Sequence, residues 1–271
     1  MQLITFIEYL KSTENNLYDQ TVTLVRQWLK GDELDTEQLF DTFLNIDLSG
    51  LVNNSTNLTT IERQRTSLIS LGQNTIGGVV APFLFVWNIR RVEDYVENGT
   101  FHASWFIDNL TEMFNVNKDL FIDCSTMHWN TSPISKEKTK VVYESINGFL
   151  SKFNNQNEYI GTVKIAHIIN PYAFPLLDNK IAKGTKLIGF SERMSMDACI
   201  SWVTKSSLML SEFSSDQIGS IESQTGLSLL RCLDMTLMHY RLGAGCYNKK
   251  CSFREVSNQN KAHISNLGIK I

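Results

Sequence analysis

The stretch KIAHIINPYAFPLLD, residues 164–178, decides how the fold of this chain is interpreted. Its first residues, through Ile169, have the apolar pattern of a short buried helix that carries Lys164 near its start. Prolines in the following turn end that helix, because proline lacks the backbone N–H that a helix interior needs. The turn brings Asp178 to the head of the next helix, which Gly184 closes. The pattern therefore places a lysine and a carboxylate at facing helix ends.

The composition indicates a folded protein with a well-filled core. The 271 residues are 42% apolar and 10% aromatic, which excludes a disordered chain. The five cysteines are an odd number and scattered, which predicts reduced, buried thiols in a cytoplasmic protein. The N-terminus lacks the basic and apolar regions of a secretory signal. The longest apolar run, residues 76–89, is shorter than the about 20 residues of a membrane span, so we expect no membrane partner.

Helical periodicity runs through the chain and strand alternation is nowhere sustained, so the predicted fold class is all-α. We expect a single unit, residues 1–271, with two lobes and a cleft between them. The central lobe spans about 60–185, and the helices of 1–45 and 194–243 form the other lobe. Residues 244–271 form a basic tail.

Three local patterns give sharper expectations. Asp35 and Gln38 have the spacing of a capping box at the start of a helix. The apolar stretch from Ile76 continues as one helix to about residue 98, bent at Pro82. Residues 121–135 are expected to be irregular.

The net charge of −3 hides a segregation of charge along the sequence. Residues 1–135 hold 8 basic and 17 acidic residues, whereas residues 136–193 hold 9 basic and 5 acidic residues. The last 31 residues are also basic. Such an asymmetry is typical of a surface that meets a polyanion, and it equally fits an acidic lobe beside a basic one.

Lys-x-Ala on an apolar helix followed by Phe-Pro-x-x-Asp resembles the core of the helix-hairpin-helix DNA glycosylase superfamily. The form here is divergent, with a short loop between lysine and aspartate. The resemblance covers about residues 159–183 and implies a DNA-repair enzyme that acts on a flipped, damaged base. It makes Asp178 the carboxylate that stabilises the oxocarbenium-like transition state, and Lys164 the amine of an abasic-site lyase.

The same resemblance implies how DNA would be held. Gly161 and Thr162 would form the hairpin whose backbone N–H groups bind a DNA phosphate. Nearby lysines would contact the flanking DNA backbone, and a histidine would lie near the pocket for the flipped base. The residues concerned are Gly161, Thr162, Lys180, Lys183, Lys186 and, for the pocket, His167. Neither a metal nor another cofactor is expected, and a DNA-binding protein of this kind would be associated with the nucleoid.

Two alternatives remain open beside the enzyme. A non-catalytic descendant of the same fold would bind DNA or a protein partner. An unrelated helical scaffold would use Lys164 as a surface residue and Asp178 as a helix N-cap, a position that aspartate prefers.

Overall fold

The computed structural model describes residues 3–5, 7, 16–52, 57–153, 156–189, 192–243 and 258–270. These residues are predominantly helical and contain no sheet, which confirms the predicted all-α fold class; one isolated bridge joins His128 and Ser132. None of the described helices has the length and apolarity needed to cross a membrane. The helices are α1 Leu17–Lys30, α2 Glu37–Leu44, α3 Leu58–Gly72, α4 Ile76–Trp87, α5 Ile89–Glu97, α6 Ala103–Val116, α7 Lys118–Ser125, α8 Lys136–Leu150, α9 Tyr159–Ile169, α10 Asn179–Gly184, α11 Met196–Met209, α12 Ser215–Thr225, α13 Leu229–Gly243 and α14 Asn258–Asn266.

The chain divides into two compact units. Unit A comprises Asn15–Thr126 and Val141–Ile169. Unit B comprises Met1–Glu14, Met127–Lys140 and Asn170–Ile271. Helix α8 therefore begins in unit B and ends in unit A. The predicted lobe boundaries and the cleft stay predictions.

Helix α4 is the centre of unit A. It packs against α1, α3 and α6, and its side chains from Ile76 to Phe85 are buried on every face. This all-round burial explains why the segment is continuously apolar instead of amphipathic. The helix continues through Pro82 and ends at Trp87, so the expected single helix bent at the proline is wrong. The break falls at Asn88, whose φ of −120° and ψ of 27° are not helical.

Helix α13 is the centre of unit B. It packs against α10, α11, α12 and α14. The sequence pattern predicts a buried stripe of Leu230, Leu233, Leu237 and Tyr240; the three leucines are buried and Tyr240 is only partly buried. Leucines at this i, i+3, i+7 spacing share one face of a helix, which is why the pattern predicted the burial of the leucines correctly.

Two local expectations are corrected. Asp35 and Gln38 form no capping box, because Thr36 is the N-cap residue of α2 and the Asp35 carboxylate accepts from the Glu37 N–H instead. The segment expected to be irregular begins with a helix, α7. Phe121 and Cys124 are both fully buried in α7, since their i, i+3 spacing lets them face the same core.

The buried thiols give a prediction about reactivity. Burial raises the pKa of Cys199 and of Cys232 to about 12, from the ordinary value of 9.0. The thiolate is the reactive form, so we expect neither residue to be alkylated by iodoacetamide at pH 8 in the native protein, and both to react after unfolding. Because the folded-state pKa values are raised, these thiols also favour the folded protein below about pH 9, and this contribution is lost as the pH rises toward 12. Mass spectrometry of the alkylated protein, with and without denaturant, checks the reactivity; native alkylation at either position would contradict it.

Candidate functional site

Lys164 lies in the middle of α9, not near its start. The helix begins at Tyr159, five residues before the lysine. The Lys164 side chain is half-buried, and its Nζ donates to the backbone oxygen of Trp87 at 2.5 Å and to Asn88 Oδ1 at 2.5 Å. Both acceptors lie at the C-terminal end of α4, within unit A.

The break after α4 explains why the lysine binds there. In a continuous helix, the Arg91 N–H would bond to the oxygen of Trp87; here it bonds to the oxygen of Asn88. The carbonyl of Trp87 therefore receives the Lys164 ammonium. A helix C-terminus carries partial negative charge and favours a cation at this position. Lys164 thus acts as a cap for the end of α4, supplied by another helix.

Asp178 is the N-cap of α10. Its backbone is extended, with φ −122° and ψ 172°, and its Oδ1 accepts from the Ile181 N–H at 2.6 Å. This is the geometry by which a short side chain satisfies an otherwise unpaired N–H of the first helical turn. The structural alternative stated for Asp178 from the sequence is confirmed, and the residue belongs to unit B.

A pair of substitutions checks this capping role. We expect Asp178→Ala to lower the free energy of unfolding by about 1 kcal/mol, because the Ile181 N–H loses its acceptor. Asp178→Ser keeps a capping oxygen and is expected to stay within about 0.5 kcal/mol of the natural protein. Urea unfolding of the two variants measures the difference. Equal stabilities for the alanine and serine variants would show that the cap contributes nothing.

The sequence predicts a phosphate-binding hairpin at Gly161 and Thr162. Both residues are buried in the first turns of α9, and the Thr162 N–H and hydroxyl each donate to the oxygen of Glu158 at 2.9 Å. The Thr162 N–H therefore already has a hydrogen-bond acceptor in the backbone oxygen of Glu158. The glycine has a packing reason, since a Cβ at position 161 would lie 3.0 Å from Leu150 Cδ1.

His167 is fully buried inside unit A. Its Nε2 is 2.7 Å from the Tyr18 hydroxyl, and the two rings stack with centroids 5.6 Å apart. The Tyr18 ring also stacks on Trp87. These contacts account for a hydrogen-bonded histidine of the core, and the expectation that His167 lines a pocket for a base finds no support in them.

The three lysines expected to contact DNA lie along and just after α10 of unit B. Lys180 and Lys186 are exposed and Lys183 is half-exposed. Lys205, on α11, joins them: its Nζ donates to the backbone oxygen of Thr185. Burial, and then the nearby charge of Lys186, lower the pKa of Lys205. We call Lys180, Lys183, Lys186 and Lys205 the lysine cluster. Lys205 was missed because only the tertiary fold brings it to α10.

Lys186 holds an unusual backbone conformation within this cluster. Its φ is +56°, in the left-handed region, and its N–H donates to the oxygen of Lys183 while the next N–H donates to Ala182. These two bonds close α10 as a Schellman motif, in which glycine is the usual residue at the left-handed position. A side chain there costs about 1–2 kcal/mol. A lysine thus occupies a position where glycine would be more stable.

Comparison of the chain with protein-family models, with curated proteins and with solved structures finds no match. The function is therefore inferred from the geometry of the described residues. The described residues include two helix caps, at Lys164 and Asp178, and a pair of lysines, Lys186 and Lys205, in which burial and then the charge of Lys186 lower the pKa of Lys205.

Proposed function

We propose that this protein binds DNA through the lysine cluster and does so without removing a base. The observation that carries the proposal is Lys186, a cation in a strained backbone conformation whose charge also acts on Lys205. Strained residues persist where the surroundings or a function require them, so an outlier of this kind is a reason to look for a ligand. Burial, and then repulsion by Lys186, lower the pKa of Lys205, and a polyanion would offset this repulsion.

The chemistry of the cluster suits phosphate binding without base recognition. Lysine carries a compact charge with rotatable donors, whereas the bidentate reading of bases depends mainly on planar groups such as those of arginine, asparagine and glutamine. Phosphate contacts position a protein on DNA and carry no sequence information. We therefore expect binding that is weakly sequence-dependent and strongly salt-dependent.

Lys164 and Asp178 have cap roles in this proposal. A lysine that forms a Schiff base must present a neutral amine to the sugar carbon. The Lys164 hydrogens are instead directed to Trp87 and Asn88, two acceptors that favour an ammonium. These contacts support the non-catalytic interpretation over the glycosylase.

The binding experiment compares variants across a salt series. Fluorescence anisotropy with a labelled duplex would be measured for the natural chain, for Lys183→Ala/Lys186→Ala, and for the control Lys30→Ala, an exposed lysine of unit A. The slope of log affinity against log salt is negative for binding to phosphates. We expect the double variant to reduce the magnitude of this slope by about 0.9 for each phosphate that it no longer neutralises, and the control to leave the slope unchanged. Equal effects from the double variant and the control would overturn the lysine cluster as the DNA site.

Lys186→Gly separates binding from stability. We expect the glycine to raise the free energy of unfolding by about 1 kcal/mol, because it adopts the left-handed conformation without strain. The same change should weaken DNA binding, since it removes a cluster charge. Lys186→Asn, which tolerates this conformation and has no charge, is the matched variant. A glycine variant that is more stable and binds DNA as tightly as the natural chain would exclude Lys186 from the interface.

The glycosylase remains the competing proposal, supported by the Lys164 to Asp178 sequence pattern. Its test is borohydride trapping on duplexes with oxidised, deaminated, alkylated and abasic sites. A covalent adduct that disappears in a folded Lys164→Ala variant would establish the enzyme and contradict our proposal. The absence of adduct and of base release, together with salt-dependent binding, is the result we expect.

A further inference from the structure

A second feature lies in unit A, where a pocket opens beside the N-terminal half of α9. Four aromatic side chains line it: Tyr95, Phe101, Phe106 and Phe153. Each is at least nine-tenths buried, and Phe106 packs on Phe101 and Phe153 with ring centroids 5.4 and 4.9 Å apart. The rest of the wall combines aliphatic residues, Leu84, Val92 and Leu150, with Gly161 and three polar or charged residues, Asn88, Arg91 and Glu158. The pocket therefore combines four aromatic side chains with an ion pair of Glu158 and Arg91.

One carboxylate faces this cage. The Glu158 side chain is only 10% exposed; its Oε1 accepts from the Tyr95 hydroxyl at 2.7 Å and lies 3.2 Å from Arg91 Nε. Burial and the bond to Glu158 raise the pKa of Tyr95 far above its ordinary value, so the hydroxyl stays a neutral donor. Arg91 is 46% exposed, which leaves its guanidinium partly in solvent at the edge of the pocket.

Aromatic side chains and a buried carboxylate together favour one class of ligand. The π face of an aromatic ring carries partial negative charge, and cages of such rings bind quaternary and methylated ammonium groups. The carboxylate adds a full negative charge in a poorly solvated place, where electrostatic attraction is strong. A neutral apolar ligand would gain nothing from the Glu158 charge.

The size of the pocket agrees with a small head group. The centre of a water molecule can move through about 30 Å³ of it. That space admits a compact group of a few heavy atoms and no extended ring system. We propose that this pocket binds a methylated ammonium group, with Tyr95, Phe101, Phe106 and Phe153 around it and Glu158 as its counter-ion. Arg91 competes for the same carboxylate and so weakens binding of the ligand.

Choline and its uncharged carbon isostere, 3,3-dimethylbutan-1-ol, form the decisive pair of probes. Chemical-shift changes of the ¹⁵N-labelled full chain would be titrated with each, and with tetramethylammonium. We expect saturable shifts at the pocket for both cations, and at least about tenfold weaker binding of the isostere. Equal binding of choline and the isostere, or no saturable shift with either cation, would overturn the proposal without any variant.

Variants then assign the carboxylate. Glu158→Gln keeps the shape of the side chain and should weaken choline binding about tenfold or more, whereas Arg91→Gln should strengthen it. Tighter binding of choline to Glu158→Gln than to the natural chain would contradict the counter-ion role. Lys186→Gly, in unit B, should bind choline unchanged, which keeps this result independent of the DNA proposal.

Discussion

Gly78→Ala is expected to destabilise the protein by at least about 3 kcal/mol, the upper range for overpacking a core. A Cβ at position 78 would lie 1.8 Å from the backbone oxygen of Gly72 and 2.5 Å from its Cα. Both clashing atoms belong to the backbone at the end of α3, so no side chain can move aside to relieve them. The two helices would have to separate, and α4 is the centre of unit A.

The matched control is Gly148→Ala. Gly148 is an exposed residue of α8, and a Cβ there would meet nothing within 4 Å. Alanine is favoured over glycine in a helix, so this change should raise the free energy of unfolding by about 0.5–1 kcal/mol. Urea or thermal unfolding measures both variants. A Gly78→Ala protein as stable as Gly148→Ala would mean that α3 and α4 do not approach as closely as the structure has them.

The same contrast shows how far the sequence could predict the fold. Gly77 and Gly78 stand in the apolar run of residues 76–89, a context that indicates a packing or bending role for the pair. The sequence does not predict that Gly78 packs against Gly72. This close approach depends on the turn between α3 and α4, in which the Thr75 hydroxyl caps α4 by accepting from the Gly78 N–H. Periodicity thus predicted several of the helices, whereas their pairing follows from contacts that no local pattern encodes.

Among the helices that periodicity did not predict, α12 carries a usable sequence signal. Helix α12 begins with Ser214 as its N-cap, and Ser214 and Gln217 form a complete capping box. The Ser-x-x-Gln spacing is the sequence signature of such a start. The apolar stripe of α12 is short, so helical periodicity alone does not predict this helix. At Asp35 the same kind of signature was misleading. Asp35 and Gln38 have the spacing of a capping box, but the helix begins one residue later than that spacing predicts, after Thr36.

The residues of the candidate site show the same difference between local and long-range contacts. The cap role of Asp178 could be predicted, since an N-cap bonds within three residues of itself. The partners of Lys164 could not, because Trp87 and Asn88 precede it by 77 and 76 residues. The strain at Lys186 was also hidden, because Gly184 offered an apparent helix end and glycine is the residue expected at a left-handed closure. Local chemistry can be predicted from sequence, and long-range hydrogen bonds need the fold.

Lys164→Met is the second change with a large expected effect, a decrease of about 2–3 kcal/mol in the free energy of unfolding. Methionine fills a similar volume and has no donor, so the oxygens of Trp87 and Asn88 at the end of α4 lose the ammonium that satisfies them. Hydrogen bonds to a charged group contribute about 1.5–3 kcal/mol, and the position is half-buried, which places the expected decrease within this range. Lys30→Met, an exposed lysine of the same unit, should change stability by no more than about 0.5 kcal/mol.

The conservative variant Lys164→Arg distinguishes a cap from a nucleophile. A guanidinium can still donate to the oxygens of Trp87 and Asn88, so a capping role predicts that Lys164→Arg recovers most of the stability that Lys164→Met lacks. A nucleophilic role predicts that Lys164→Arg abolishes any borohydride-trapped adduct, because a guanidinium stays protonated and forms no Schiff base. We expect recovery of stability, measured by urea unfolding, and no adduct with the natural chain. An arginine variant as unstable as the methionine variant would show that Lys164 does not stabilise the fold through these two hydrogen bonds.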